Sequence, residues 1–380
     1  MSFSSRSRRG RLAGRDRTAS WPRRVRRGAA GRLMSQVIRR DPETLRRALL
    51  PWLHERLPEA DAIELPLPRK PGSGGSSETL LISPTIRQAG VTRREEWVLR
   101  IEPSDHQIYM DPGLRRQFLV MQALHAQGDV PVPAMLWYEA DPTTLGVPFF
   151  VMEHVHGQVM PGMHHSGGFL AEAPPAAREA IWLSAIETMA RLHRLSEARF
   201  QFLARPALGS TGLDQEIAYW TDYLAWSGAP VRAEQERALR WMADNLPDAR
   251  GGGLAWGDAR PANMIFRDDK CRAVIDWETT SLGGAETDLG WWLFFDWNVS
   301  EGSKIARLEG TTDRAGTIAA WEHFAGRRAE AMEWHEAFAA LRFSMIVDRA
   351  RLLAERMGRP ETVPADAGHR IAERLVELTA

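Results

Sequence analysis

The chain has 380 residues, of which 44% are hydrophobic and 15 are Trp, so it is long enough for a sizeable core in one or two domains. Cys271 is the single cysteine, which excludes a disulfide framework and a cysteine-based zinc site and fits the reducing cytoplasm, where we expect the protein. The formal net charge is zero. No apolar run approaches the ~18 residues of a membrane-spanning helix, so no membrane span is expected.

The charge is unevenly distributed along the chain. Residues 1–33 carry eleven Arg and one acidic residue, whereas the remainder carries 38 basic and 48 acidic residues. This Arg-rich head has three interpretations: a nucleic-acid-binding tail, a transit-like segment, or an extension upstream of the true start, since Met34 opens ordinary protein sequence. Because the head lacks apolar periodicity, we favour a disordered extension over 1–33 and expect no nucleic-acid partner.

Residues 34–154 are predicted to form a first lobe. Residues 41–57 have the apolar spacing of a helix, with Asp41 as its N-cap, and a second helix is expected at 112–126. A glycine-rich turn occupies 69–77. Short apolar or alternating runs predict strands at 62–67, 79–83, 96–101, 134–139 and 148–153. This order indicates a small, mostly antiparallel sheet that carries one helix.

Helical patterns dominate residues 155–380, and the boundary between the two parts lies near 153–157. The predicted helices cover 175–195, 214–226, 232–245, 286–295 and 317–356. Two short apolar runs, 264–266 and 273–275, suggest a hairpin inside this helical region. The fold class expected is therefore α+β, with a small antiparallel β-sheet N-lobe and a mostly helical C-lobe.

Three oxygen-bearing side chains of the second lobe have the spacing of a phosphoryl-transfer centre. Asp258, in W-G-D-A-R-P-A-N, precedes Asn263 by five residues, and Asp276, in V-I-D-W-E, follows Asp258 by eighteen. Protein kinases place a base Asp, a magnesium-binding Asn and a magnesium-binding Asp in this order. The spacing predicts that Asp258 orients an acceptor hydroxyl, while Asn263 and Asp276 hold Mg²⁺ on hard oxygen ligands.

With these motifs, the chain resembles the aminoglycoside phosphotransferase and choline kinase superfamily, and within it the phosphotransferases associated with acyl-CoA dehydrogenases. The likeness runs from about Ile63 to the C-terminus and is strongest at W-G-D-A-R-P-A-N-M-I-F, V-I-D-W-E and L-G-V-P-F-F-V-M-E. It implies a bilobal protein-kinase-like fold with a nucleotide-binding N-terminal lobe. It also implies an ATP-dependent phosphotransferase that uses ATP and Mg²⁺ and has Asp258 as catalytic base.

The resemblance assigns further site residues. Gly74, Gly75 and Ser76, in the glycine-rich turn, are expected to contact the nucleotide phosphates. Arg100 occupies the third-strand position of the nucleotide-contacting Lys of protein kinases. Arg260 is expected to clamp the transferred phosphate, and a surface salt bridge is the alternative for this residue.

The predicted lobe junction contains Met152, Glu153 and His154, whose backbone N–H and C=O groups are expected to meet the adenine edge. The helix Glu that pairs with the kinase Lys is matched here by Gln117, which carries no charge. Arg100 must therefore pair with another carboxylate, or with the nucleotide alone.

Other residues near the motifs are expected to have supporting roles. Trp256 is expected to pack against the catalytic loop, and Asp288, in D-L-G-W-W, to brace that loop through backbone hydrogen bonds. His193 and His125 are interpreted as ordinary helix residues. Six residues either line the acceptor site or belong to the core, which is the favoured interpretation for the Trp residues: Tyr219, Trp220, Trp277, Glu278, Trp291 and Trp292.

The expected acceptor is a hydroxyl of a small molecule, and a hydroxyacyl thioester, an amino alcohol, a sugar and an antibiotic all remain open. Two alternatives to a kinase also remain. One is a catalytically weak nucleotide-binding protein of the same fold, which the unusual Arg100 and Gln117 motivate. The other is a nucleic-acid-associated protein that binds through its Arg-rich head.

Overall fold

The computed structural model describes residues 40–70, 78–103, 107–111, 113–248, 252–358 and 367–380. The predicted extension over 1–33 and the glycine-rich turn residues Gly74, Gly75 and Ser76 lie outside these ranges. The described strands, in chain order, are β1 (Ala62–Glu64), β2 (Glu78–Ile82), β3 (Thr85–Gln88), β4 (Val91–Arg94), β5 (Trp97–Ile101), β6 (Met135–Glu139), β7 (Phe149–Glu153), β8 (Gln158–Val159), β9 (Met264–Arg267) and β10 (Lys270–Val274). The helices are α1 (Pro42–Arg56), α2 (Leu114–Gln127), α3 (Phe169–Glu172), α4 (Pro175–His193), α5 (Gly212–Trp226), α6 (Ala233–Asp244), α7 (Ala285–Val299), α8 (Arg314–Ala325), α9 (Met332–Arg356) and α10 (Ala367–Leu378).

The predicted α+β fold is confirmed. A four-stranded antiparallel sheet of order β2-β5-β7-β6 forms the centre of the N-terminal lobe, and β1, β3 and β4 form a second antiparallel sheet. Helices make up most of the C-terminal lobe, where β8, β9 and β10 form a third small sheet.

Both faces of the four-stranded sheet are buried, and the period-two alternation of a strand decides which side chain reaches the second lobe. Leu99 and Ile101 of β5 belong to a core that also contains the apolar face of α1. Val98 points to the opposite face and belongs to the larger core shared with α2 and the C-terminal lobe. Arg100 has the same parity as Val98, so β5 directs its guanidinium towards the C-terminal lobe.

Helix α1 covers the outer face of the sheet. It begins as predicted, because the Asp41 carboxylate accepts a hydrogen bond from the backbone N–H of Thr44 at 2.9 Å and caps the first turn. Its apolar face, which includes Leu45, Leu49 and Leu53, is buried in the outer core. Trp52 fixes the helix to the sheet, since its indole Nε1–H donates to Oε2 of Glu139 at 2.8 Å.

The C-terminal lobe is organised around α7, which is buried along most of its length and packs closely on α9. Gly290 of α7 makes the close approach possible, because a Cβ at this position would lie 2.6 Å from the backbone of His335. Helix α7 follows directly on the segment that carries the second motif, so the core of this lobe fixes the position of that motif.

The structure differs from the sequence-based expectation at several places. The β3–β4 hairpin was not predicted, because all four residues of β4 are exposed and show no apolar alternation. The helical pattern over 317–356 is interrupted where Gly326, with a positive φ of 72°, ends α8 before α9 begins. Helix α10 was also not predicted. Among the described helices, none combines the length and apolarity needed to cross a bilayer.

Candidate active site

Asp258 is presented by a tight loop at the N-terminal side of the β9–β10 hairpin. The preceding Gly257 has a φ of +97°, and a Cβ there would lie 2.2 Å from the carbonyl oxygen of Thr279. A side chain would therefore be strained and would clash with backbone, so the order Gly-Asp in this motif follows from the local geometry.

Three side chains hold the Asp258 carboxylate in one orientation. Asn263 Nδ2 donates to its Oδ2 at 2.6 Å, and Trp291 Nε1 donates to its Oδ1 at 2.7 Å. Arg260 Nε lies 3.0 Å from both carboxylate oxygens. The structure thus brings Asp258, Asn263 and Arg260 together, and it adds Trp291 as a direct contact of Asp258.

Asp276 is brought to the same place by the β9–β10 hairpin. The N–H of Ile275 donates to the carbonyl oxygen of Asn263 at 3.0 Å, and Asp276 follows immediately. Asp276 adopts a left-handed φ of +63°, which Asp tolerates better than most residues. Trp256 supports this turn, since its indole Nε1–H lies 2.9 Å from the carbonyl oxygen of Ile275 and 3.2 Å from that of Asp276. Trp256 is thus buried and contacts the turn of Asp276 through its indole.

The oxygen ligands at this junction fit a hard divalent cation. Burial raises the pKa of Asp276 to about 6, and the nearby carboxylates of Glu278 and Asp258 add to the increase while Arg100 opposes it. A cation placed here would relieve that crowding of negative charge. Because Asn263 directs its Nδ2 to Asp258, its Oδ1 is the atom that can serve a metal ion. An amide oxygen and a carboxylate are the ligand types that Mg²⁺ prefers.

Arg100 reaches across from β5 to the C-terminal lobe. Its Nη2 lies 3.0 Å from Oδ1 of Asp276 and 2.5 Å from Oε1 of Glu278. Because Gln117 carries no charge, Arg100 was expected to pair with another carboxylate or with the nucleotide alone. Glu278 is that carboxylate. From the sequence, Glu278 was expected only to line the acceptor site or to lie in the core. Its position two residues after Asp276 was the signal that it could contact the catalytic site.

Asp288, near the start of α7, braces the catalytic loop as predicted. Its Oδ2 accepts from the N–H of Trp256 at 2.6 Å, and its Oδ1 accepts from the N–H of Gly257 at 2.8 Å.

His193, interpreted from the sequence as an ordinary helix residue, has a side chain that is only 1% exposed. Its Nε2 lies 3.0 Å from Oδ2 of Asp288, and its Nδ1 accepts from the indole N–H of Trp321. His193 therefore supports the catalytic loop indirectly, through Asp288.

Some backbone groups of the lobe-junction residues already form hydrogen bonds within the N-terminal lobe. Met152 pairs with Val98 on β5. The N–H of Glu153 donates to the carbonyl oxygen of Ala134, and the N–H of His154 donates to that of Glu96. The N–H groups of Glu153 and His154 are thus already used in this conformation.

The aromatic residues considered for the acceptor site belong to the core, which was the favoured interpretation. Trp220, Trp277, Trp291 and Trp292 are all buried, and Tyr219 is half-buried against that core. Trp291 alone among them contacts Asp258 through a hydrogen bond in the described part of the chain.

Two residues near Asp258 were not found from the sequence. Burial raises the pKa of Tyr109 well above its usual range, and the negative charges of Asp258, Glu278 and Asp276 add to the increase. Tyr109 lies in the segment 107–111, which has no periodic pattern to indicate its position.

Arg342 of α9 is the second such residue. It is 1% exposed, and its Nη2 donates to the carbonyl oxygen of Gly257 at 3.1 Å. Its guanidinium carbon lies 4.4 Å from the ring centroid of Trp291, so the face of that indole carries a cation. On an amphipathic helix, nothing in the sequence distinguishes this Arg from a solvent-exposed one.

Comparison with curated proteins finds relatives that are longer than this chain. Acyl-CoA dehydrogenase family member 11 of Homo sapiens is 33% identical over 230 residues, which make up 57% of this chain and 28% of that protein. The Mus musculus protein of the same name is 28% identical over 331 residues, or 81% of this chain and 42% of that protein. The chain therefore spans less than half the length of these relatives.

Solved structures show the same fold. A Ralstonia eutropha protein assigned to the aminoglycoside phosphotransferases superimposes with a TM-score of 0.66 at 23% identity, over 88% of this chain and 98% of that one. A thermostable mutant of aminoglycoside phosphotransferase APH(4)-Ia, in a ternary complex with AMP-PNP and hygromycin B, gives a TM-score of 0.52 at 15% identity, over 88% and 99%. Identities this low establish the fold alone.

The family model described as the phosphotransferase enzyme family matches residues 81–341. The match covers more than half of the chain, and it extends from strand β2 through the loop of Asp258 to helix α9. The chain belongs to the phosphotransferase enzyme family.

Proposed function

We propose that the protein is an ATP-dependent small-molecule kinase that moves the γ-phosphate of ATP to an acceptor hydroxyl. One observation carries the proposal: Asp258, Asn263 and Asp276 converge where the two lobes meet. Asn263 bonds the Asp258 carboxylate directly, and the backbone bond from Ile275 to Asn263 fixes Asp276 beside them. A base and two oxygen ligands at one place are what phosphoryl transfer requires.

The roles follow from the chemistry of each group. The Asp258 carboxylate accepts the proton of the acceptor hydroxyl and aims that hydroxyl at the phosphorus atom. Arg260, already in contact with Asp258, is close enough to place its guanidinium on the oxygens of the transferred phosphate. Asn263 Oδ1 and the Asp276 carboxylate would hold Mg²⁺, which supplies neutralisation of the phosphate charges when bound.

The nucleotide is assigned to the N-terminal lobe. Arg100 is proposed to contact the phosphates while Glu278 orients it. Gly74, Gly75 and Ser76, which lie outside the described residues, are the proposed further contacts of the phosphates. Because the N–H groups of Glu153 and His154 already donate within the protein, we assign their carbonyl groups to accept from adenine. The donor that adenine needs then belongs to a residue after His154.

The alternative of a catalytically weak nucleotide-binding protein was motivated by the unusual Arg100 and the uncharged Gln117. The pairing of Arg100 with Glu278 removes the second motive, because a carboxylate does orient the cation. The kinase is therefore the function that the geometry favours.

Among the acceptors left open by the sequence, a hydroxyacyl thioester has the most support. Relatives that are 28–33% identical to this chain over the matched region are named as acyl-CoA dehydrogenase family members, which supports an acceptor related to acyl thioesters. A polycationic antibiotic is less compatible with a site where Arg100, Arg260 and Arg342 surround the carboxylates.

A coupled assay of ADP release over hydroxyacyl thioesters, amino alcohols, sugars and antibiotics tests the proposal. Asp258→Asn should lose transfer by about 10³-fold or more while it still binds ATP, because the base is removed and the Mg²⁺ ligands remain. Asp268→Asn, in the exposed turn between β9 and β10, is the matched control and should keep full activity. Full turnover by Asp258→Asn would exclude the mechanism.

A further inference from the structure

A second group of potential metal ligands lies at the lobe junction, away from the Asn263 and Asp276 oxygens. Glu96 immediately precedes β5, and the N–H of His154 donates to its carbonyl oxygen at 3.2 Å. This backbone bond brings the start of β5 against the segment that follows β7. His154 and His156 are two residues apart, and their ring centroids lie 4.7 Å from each other.

The distances within this group are informative. Oε2 of Glu96 lies 3.3 Å from Nδ1 of His154 and 3.2 Å from Nε2 of His156. All three ligand atoms lie within 4.8 Å of one another. A charge-assisted hydrogen bond between such groups would be shorter, about 2.7–2.9 Å. Tetrahedral zinc, with bonds of about 2.0–2.1 Å, separates neighbouring ligand atoms by roughly 3.3 Å.

The chemistry of the ligands selects the kind of ion. Two imidazole nitrogens and one carboxylate oxygen suit zinc and related transition metals, whereas Mg²⁺ prefers an all-oxygen set. The side chain of His156 is 63% exposed and that of Glu96 is 36% exposed, so an ion has access from solvent and water can complete its coordination. The other described His and carboxylate cluster, at His164, His165 and Asp296, is already neutralised by Arg307 on the Asp296 carboxylate.

We propose that Glu96, His154 and His156 form a binding site for one zinc-class transition-metal ion at the junction of the lobes. An ion held there joins the start of β5 to the segment after β7 through side chains as well as through the backbone. Metal binding therefore stiffens the connection between the two lobes. The site includes no group that is proposed to bind the acceptor or Mg²⁺, and it uses the side chain of His154 rather than the backbone group assigned to adenine.

The 380-residue chain, freed of metal by a chelator, is titrated with Co²⁺ in the presence of excess Mg²⁺. Visible absorption then reports the coordination geometry. The expected result is one equivalent of bound Co²⁺ with the intense bands of a four-coordinate site, displaced by Zn²⁺. His156→Ala and Glu96→Gln should each weaken binding by about tenfold or more, since each removes one of three protein ligands. His369→Ala is the control, because His369 lies 3.1 Å from Glu373 on α10 but has only that one partner carboxylate in the described structure.

Two results would overturn the site. Equal Co²⁺ binding by the wild type and His156→Ala would place the ion elsewhere, and absence of a one-equivalent, Mg²⁺-resistant site would show that the three groups do not bind metal. Hydrogen exchange of residues 152–157 tests the stiffening separately. Exchange should slow on addition of Zn²⁺ in the wild type but not in His156→Ala, and unchanged exchange in the metal-bound wild type would contradict that consequence. Circular dichroism of each variant checks that it remains folded.

Discussion

Glu278 Oε1 lies 2.5 Å from Nη2 of Arg100, and this ion pair joins the central strand of the N-terminal lobe to the segment that carries Asp276. The cation of the nucleotide-binding lobe is therefore oriented by a carboxylate of the opposite lobe rather than by helix α2. Arg100 also contacts Asp276, so its position affects both the nucleotide phosphates and the proposed Mg²⁺ ligand.

Glu278→Gln is expected to raise KM for ATP and the Mg²⁺ concentration required for half-maximal activity, each by about tenfold. Without the Glu278 charge, Arg100 pairs more strongly with Asp276 and competes with the metal for that carboxylate. Steady-state kinetics with varied ATP and Mg²⁺ measure the effect. Glu95→Gln, in an exposed pair with Arg93, is the matched control and should change neither value. Unaltered ATP and Mg²⁺ dependence in Glu278→Gln would show that the ion pair has no part in nucleotide binding.

Gln117 and Glu278 show which contacts of the site could be predicted from the sequence and which could not. Asp258, Asn263 and Asp276 could be placed together because their spacing along the chain reflects one loop and one hairpin, which are local structures. The partner of Arg100 is 178 residues away, and a Glu next to a buried strand has no pattern that identifies such a contact. Gln117 itself is buried, so helix α2 uses this position for packing.

The strands and helices, too, could be predicted only where a local sequence pattern reflects their packing. Strands β5 and β7 are buried along nearly their whole length, so their sequences are apolar runs that predict strands. Helix α1 was predicted because its apolar residues recur on one face and Asp41 caps it. Strand β4 has no buried residue, so its pairing with β3 is determined by backbone hydrogen bonds that leave no trace in side-chain periodicity.

The hydrogen bond from Trp291 to Asp258 gives a second prediction. Trp291→Phe keeps most of the buried surface but removes the indole donor 2.7 Å from Oδ1 of the base. A hydrogen bond to a charged group contributes roughly 1.5–3 kcal/mol, so kcat should fall by about tenfold or more while KM for ATP stays near the wild-type value. Single-turnover and steady-state kinetics measure these quantities.

Trp292→Phe provides an internal control for this substitution. Trp292 is the neighbouring residue, is also buried, and has an indole N–H with no hydrogen-bond partner among the described residues. Its replacement should leave kcat close to the wild-type value. If both variants lose activity to the same extent, the effect is one of packing and the hydrogen bond to Asp258 is not responsible.

Asp288 connects the core of the C-terminal lobe to the catalytic loop, which gives a third prediction. The indole N–H of Trp321 donates to Nδ1 of His193, so in the neutral imidazole the proton is on Nε2 and is donated to Asp288. Asp288 thus accepts from His193 and from the N–H groups of Trp256 and Gly257. Asp288→Asn turns an amide donor towards these donors.

The free energy of unfolding should therefore fall by about 2–4 kcal/mol in Asp288→Asn, and kcat should fall with it because the loop loses its support. Urea unfolding and the ADP-release assay measure the two effects. Asp222→Asn, at an exposed position of α5, is the control for loss of a carboxylate and should change stability by less than about 0.5 kcal/mol. Wild-type stability in Asp288→Asn would contradict the bracing role.

Acid should destabilise the C-terminal lobe through His335, where α9 packs against Gly290 of α7. Burial lowers the pKa of His335 from its ordinary 6.5 to about 4, although the nearby Glu286 opposes the shift. Because the folded-state pKa is lower than the unfolded-state value, the unfolded chain binds the additional proton between these values. Stability is therefore retained above about pH 6.5 and decreases as the pH falls towards 4.

Between pH 7 and pH 5 this one group should cost about 2 kcal/mol of the free energy of unfolding. His335→Gln cannot be protonated and should lose that much less stability than the wild type over the same interval, as measured by urea unfolding at both pH values. His323→Gln, at an exposed position of α8, leaves the buried imidazole in place and should follow the wild type. If His335→Gln and the wild type lose equal stability, the imidazole of His335 is already protonated in the folded protein or is reached by water, and the tight packing of α9 on α7 does not exclude the proton.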